Sequence, residues 1–300
     1  MIDLHLHTIF SDGEIDNLSP IADECNIISI TDHNTIQGFK FFSKDFTSKK
    51  IILGSEITVE GAPDYLLYFP DTPFDLQLEN ELQNIRLEEE RIIRYCYFKL
   101  GYTHWEEDIA RAYPPKQKIK NARTRELAAI IHLYNTGLKY DEGNFEPDDL
   151  EIARQKRREY SAHIGNFIPT NIAFDIAKKF HGKIVLAHPI RTAVKRCAKN
   201  HFDISVIKQC LSNLINEYVN RGGKTVEWEY LTTNYLNKYG LTFSNVKCLR
   251  RTIFQHISEF SLKLTIGSDS HILYDYQNVA TWLKENEETF GEYLADWIGQ

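Results

Sequence analysis

Short β-branched runs alternate with stretches of helical periodicity through the first seventy residues of the chain. Apolar residues at alternate positions or in short continuous runs mark strands, and apolar residues at i, i+3 and i+4 mark helices. On that basis residues 2–6, 27–31, 50–57 and 65–69 are expected as strands, and 18–25, 36–46 and 75–99 as helices. From about 100 to 165 the pattern changes. Helical pieces at 105–112, 124–134 and 147–160 are separated by the turns Tyr113-Pro-Pro-Lys116 and Asp141-Glu-Gly-Asn144, and no strand pattern occurs between them. This span is expected as a helical insertion. Alternation then resumes with helix 171–180, strand 183–187, helix 204–220, strand 225–230, helix 249–260 and strand 262–266. Repeated strand–helix units around one core predict an α/β protein with a parallel sheet, in a single domain over residues 1–300 that carries the insertion.

No run approaches the ~18 consecutive apolar residues a spanning helix needs, so no membrane role is expected. The five cysteines, Cys25, Cys96, Cys197, Cys210 and Cys248, are scattered, odd in number and never spaced as CxxC. That pattern argues against a disulfide framework or a thiolate metal site and fits a reducing, cytoplasmic setting. The net charge of -7 argues against a general nucleic-acid coat. Basic clusters at 116–125, 154–158 and 191–196 fit either solvated helix faces or phosphate recognition, since Arg matches phosphate geometry.

Candidate chemistry enters where the predicted strands end. His5 and His7 lie two residues apart on the first strand, so both rings point one way while Ile2, Leu4 and Leu6 are expected to point the other. Asp12 follows in the next loop. Thr31-Asp32-His33-Asn34 ends the second strand, Gly54-Ser55-Glu56 the third, and Ala187-His188-Pro189 and Ser268-Asp269-Ser270-His271 later ones. Each has a plain structural reading alone: Asp32 as a helix cap, Asp12-Gly13 as a turn, Glu56 as half of a buried pair. Five strand ends each offering an imidazole or carboxylate point instead to a shared metal site, because strand ends of a parallel barrel converge on one face. Such ligands suit Zn, Mn or Fe better than Ca.

These motifs, in this order and spanning residues 3 to 271, resemble the polymerase and histidinol phosphatase (PHP) superfamily. The resemblance implies a distorted (β/α)7 barrel whose C-terminal face binds two or three divalent ions (Mn, Fe or Zn) for phosphoester hydrolysis. It implies that His5, His7, Glu56 and Asp269 hold one ion, that Glu56 bridges to a second also held by His188, and that Asp12, His33 and His271 hold a third. Where the family supplies a further histidine at the start of the fourth strand, this chain has Asp64. It is either a ligand, which would favour Mn or Mg, or a turn residue at the strand start. The similarity is greatest to the stand-alone branch acting on nucleotides and short oligonucleotides. A small phosphorylated substrate, a nucleotide or an oligonucleotide end, is therefore expected. Arg191 and Lys195, with Arg157 or Arg158, are the candidate phosphate contacts. His163, or His104 in the insertion, is the candidate proton donor, and His163 otherwise contacts phosphate or packs structurally. A nuclease acting on longer single strands and a non-catalytic scaffold or regulatory subunit are the alternatives.

Overall fold

Among the described residues seven strands form one sheet whose spatial order repeats their order in sequence, β1 to β7: β1 Ile2–Leu6, β2 Ile27–Ile30, β3 Lys50–Ile57, β4 Tyr65–Phe69, β5 Lys183–Leu186, β6 Thr225–Glu229 and β7 Lys263–Gly267. This computed structural model describes residues 1–11, 13–45, 50–59, 62–70, 72–99, 169–197, 203–273 and 276–298. The predicted insertion at about 100–165, and with it His104, Arg157, Arg158 and His163, lies outside the described residues, as does Asp12. Beyond the ends of β1 and β7, Leu6 meets Ser270 in a parallel bridge, and the His7 N–H donates to the Ser270 carbonyl at 3.0 Å. The sheet thereby curls into a nearly closed barrel, with helices on its outer surface.

The helices among the described residues are α1 Ser19–Glu24, α2 Gln37–Phe42, α3 Leu76–Lys99, α4 Ile172–Lys179, α5 Pro189–Cys197, α6 Ile204–Asn220, α7 Thr233–Lys238, α8 Phe243–Phe260 and α9 Tyr276–Phe290. Of these, α5, α7 and α9 are additions to the sequence expectation. In α5, Pro189 takes the first helical position directly after His188, where its missing N–H costs nothing. In α9, Tyr276, Val279, Ala280 and Leu283 bury one stripe of the helix. No helix among the described residues is long and apolar enough to cross a membrane.

Two departures from the expected geometry bear on the site. The sheet is not all parallel, because β4 runs antiparallel to both β3 and β5. Only residues 58–64 separate β3 from β4, too few for the crossover that a parallel pair needs. The reversal brings the start of β4, with Asp64 just before it, to the barrel face where the parallel strands end.

The second departure is in β1. Asp3 pairs with Ile28 but Leu6 pairs with Ile30, so β1 holds one residue more than β2 across this span, as in a β-bulge. The expected alternation of Ile2, Leu4 and Leu6 against His5 and His7 therefore fails. Ile2 and Leu4 pack with Ile52, Leu66, Tyr68, Val185 and Ala187, residues of strands on different sides of the barrel that meet in its interior. Leu6 packs in the outer, helix-covered core, and His5 and His7 point inward above Leu4. The bulge turns the chain so that apolar residues fill the barrel floor and imidazoles its upper storey. From below, Ala295 and Ile298 close the floor.

Candidate metal centre

Inward-facing positions on the strands build the site. On β3, Ile52, Gly54 and Glu56 share a face, so the strand that contributes Ile52 to the floor contributes Glu56 to the upper storey. The chain after β2 stays alongside β3: the Asn34 N–H donates to the Glu56 carbonyl at 2.9 Å, which sets His33 beside Glu56. His188 and Asp269 follow β5 and β7 in left-handed backbone conformations, at φ 26° and 52°. Such strain in residues with a β-carbon persists only where the surroundings hold it.

Glu56 is the hub. Its Oε1 lies 2.8 Å from His188 Nε2, while its Oε2 lies 3.0, 3.2 and 3.5 Å from His33 Nδ1, His7 Nε2 and His5 Nε2. Asp269 Oδ1 lies 3.2 Å from His7 Nε2 and 3.4 Å from His5 Nε2. Among the described residues three groups of metal-competent side chains result, each with its ligand atoms within 4.8 Å of one another: His5, His7, Glu56 and Asp269; Glu56, Asp64 and His188; and His7, His33 and His271. The first is the set that sequence resemblance assigned to one ion. The second contains Glu56 and His188, with Asp64 Oδ2 3.7 Å from His188 Nε2. The third stacks both His33 and His271 on the His7 ring, at centroid distances of 4.4 and 4.3 Å. Imidazole and carboxylate donors converging this closely fit divalent transition-metal ions.

Groups behind the donors aim them. The His5 ring donates through Nδ1 to Glu227 Oε1 at 2.7 Å, which leaves Nε2 facing the centre. Ser11 Oγ stands 3.4 Å from His7 Nδ1 and is itself bound to Asp32 at 2.7 Å. Asp32 also accepts the Thr8 N–H and hydroxyl, both at 2.7 Å, so it fastens the loop after β1 and does not cap the helix that follows it. Asp3 accepts the N–H of His5 at 3.2 Å and of Ser268 at 3.0 Å, tying β1 to β7 beside two donors.

Arg191 ion-pairs with Asp269 Oδ2, bonds the Tyr230 carbonyl, and holds its Nε 3.3 Å from Glu229 Oε2 without hydrogen-bond alignment. Its cation thus stands at the edge of the first donor group. Lys195, further along α5, is exposed.

Burial opposes charge throughout the centre, and pairing overrides it for His5, His188, Glu56, Asp269 and Arg191. Burial disfavours the His5 imidazolium, yet Glu227, Asp269 and Glu56 hold its pKa well above the ordinary value. His188 is raised in the same way by Glu56, Asp64 and Asp269. Burial would raise the Glu56 and Asp269 carboxyls. The imidazoles around Glu56, and Arg191 with the imidazoles around Asp269, hold both well below the usual carboxylate range. Glu229 goes the other way, because burial outweighs Arg191 and leaves its carboxyl raised.

Sequence reasoning did not find Asp3, Glu227 or Glu229. The available signal was in β6, Thr225-Val-Glu-Trp-Glu229, where two carboxylates alternate with Val226 and Trp228. A strand that buries one apolar face has no packing use for two acids on the other.

No protein-family model matches the sequence, and no curated protein matches it. Among solved structures, an amidohydrolase from Chromobacterium violaceum with bound sulfate and no metal is similar in fold. The match has a TM-score of 0.51 at 19% identity and covers 90% of this chain and 87% of that one.

Proposed function

We propose that this chain is a metal-dependent phosphoesterase of the PHP type, hydrolysing phosphate esters of nucleotides or short oligonucleotides. The observation that carries the reading is Glu56, whose two carboxylate oxygens face different donor groups. One carboxylate serving two groups suits a pair of neighbouring ions, the arrangement used to activate and clamp both oxygens in phosphoryl transfer. In this reading His5, His7, Glu56 and Asp269 hold one ion, Glu56, Asp64 and His188 a second, and His33 and His271, with Asp12, a third. Bound ions supply Lewis acidity and a lowered water pKa at the barrel mouth.

The chain's own residues do the rest. Glu227 and Ser11 keep the His5 and His7 rings aimed inward. Arg191 provides a planar cation beside Asp269, at the edge of the first donor group, of a shape that would suit a phosphoryl oxygen. The apolar floor closes the barrel beneath the donors and excludes water from below.

The fold likeness to an amidohydrolase favours a second reading, hydrolysis of a carbon–nitrogen bond by the same donor set. A single experiment separates the two. Protein loaded with Mn is assayed for phosphate release from mononucleotides and short single-stranded oligonucleotides, and for amine release from an amide panel. Phosphate release that falls at least about 100-fold in Glu56→Gln, with loss of bound Mn, is the expected result. Amide turnover without phosphate release would establish the second reading, and no turnover of either class would remove both.

A further inference from the structure

Strand β6 contributes to none of the three donor groups, yet its Glu227 touches two of them. Its Oε1 accepts from His5 Nδ1 at 2.7 Å, and its Oε2 accepts the backbone N–H of His188 at 2.6 Å. His5 belongs to the first group and His188 to the second. The carboxylate is buried and both of its oxygens are engaged. Two further features are arranged around this contact. The His188 backbone adopts φ 26°, a conformation costly for a residue with a β-carbon, and the bond from its N–H to Glu227 is a restraint acting directly on it. Across from Glu227, position 267 is glycine. A β-carbon there would sit 2.5 Å from Glu227 Oε1 and 2.4 Å from the β-carbon of His5. The space that lets Glu227 reach His5 exists because residue 267 has no side chain.

We infer that Glu227 is a positioning residue of the metal centre, whose one carboxylate fixes the Nε2-inward form of His5 and the backbone of His188 and so registers the first two donor groups to each other. It belongs to none of the three donor groups and acts through His5 and His188. The inference rests on the metal-centre reading above. Glutamine at 227 keeps the size but offers one acceptor oxygen, which serves His5 or the His188 N–H and turns an NH2 donor against the other.

The test is titration of Co(II) into chelator-treated wild type, Glu227→Gln and Gly267→Ala, followed by calorimetry and visible absorption, with thermal unfolding recorded on each. Glu227→Gln is expected to weaken Co(II) binding about 10- to 100-fold and to change the visible spectrum of the ion still bound. Wild-type affinity and spectrum in Glu227→Gln, even with a lowered unfolding temperature, would overturn the inference and leave the metal reading standing. Should Glu227→Gln fail to fold, Gly267→Ala decides, since its added methyl must displace His5 or Glu227 while the carboxylate stays. Weakened Co(II) binding there supports the inference, and wild-type binding overturns it. Failure of wild type to bind Co(II) would remove the metal reading itself and this inference with it.

Discussion

At the scale of single residues, the centre is a set of charges that stabilise one another in a place where each alone would be expelled. Glu56 faces His5, His7, His33 and His188, and Asp269 faces His5, His7 and Arg191. Protonated imidazoles therefore act as counter-ions for the carboxylates when no ion is bound. The sign of the pH dependence follows. His5 and His188 have raised pKa values, so their contribution to the metal-free fold is complete below about 6.5 and is lost as pH rises through the folded values. Glu56 and Asp269 have lowered values, so theirs is present above about 4.5 and 3.8 and is lost as pH falls through the folded values. Metal requires the imidazoles unprotonated, so its stabilising effect grows over the range where the proton network weakens. Between about pH 6.5 and 8, chelator-treated protein is expected to lose thermal stability while Mn-loaded protein gains it. Thermal unfolding in the two states checks this, and parallel slopes would contradict it.

At the scale of elements, β1 is where local pattern and tertiary geometry part company. The extra residue between Asp3 and Leu6 leaves the His5 and Leu6 N–H groups bonded to side chains, those of Asp3 and Thr31. Asp3 also accepts the Ser268 N–H and the Tyr276 hydroxyl, so one buried carboxylate joins β1, the β7 turn and α9. Removing it strands two buried backbone N–H groups, each worth about 1–3 kcal/mol when unmet, and leaves the Tyr276 hydroxyl only the Cys25 sulfur as partner. Asp3→Ala is expected to cost about 3 kcal/mol or more, and Asp3→Asn, which keeps an acceptor oxygen, markedly less. Chemical denaturation of the two variants measures the difference, and equal losses would show that the clamp is not made by hydrogen bonding.

At the scale of the whole molecule, the barrel interior has two storeys. The lower one is apolar, built from Ile2, Leu4, Ile52, Leu66, Tyr68 and Val185 and closed by Ala295 and Ile298. Tyr68 links the storeys, its hydroxyl donating to the Leu4 carbonyl at 2.7 Å just below the His5 bulge. Ile298 is 2% exposed, so Ile298→Ala is expected to cost about 2–4 kcal/mol through lost burial and a residual cavity. If the storeys are independent, Mn affinity measured by calorimetry on the folded variant stays at the wild-type level. A fall of more than about tenfold would show that the floor also positions the donors.

The sequence by itself determined the α/β class, the seven strands seen among the described residues and the imidazoles and carboxylates placed at their ends. These are local properties: β-branched runs, helical spacing, and polar residues such as His5, Glu56, His188 and Asp269 placed where a strand pattern stops. Tertiary structure alone decided what depends on partners distant along the chain. The antiparallel turn of β4 sets Asp64 at the barrel mouth, and the bulge in β1 reverses the facing of Leu4 relative to His5. The role of Glu227 has the same origin, since its meaning lies in His5, 222 residues earlier in the chain, and in the missing side chain of Gly267. Periodicity assigns a residue to a face, but only closure of the barrel assigns it a partner.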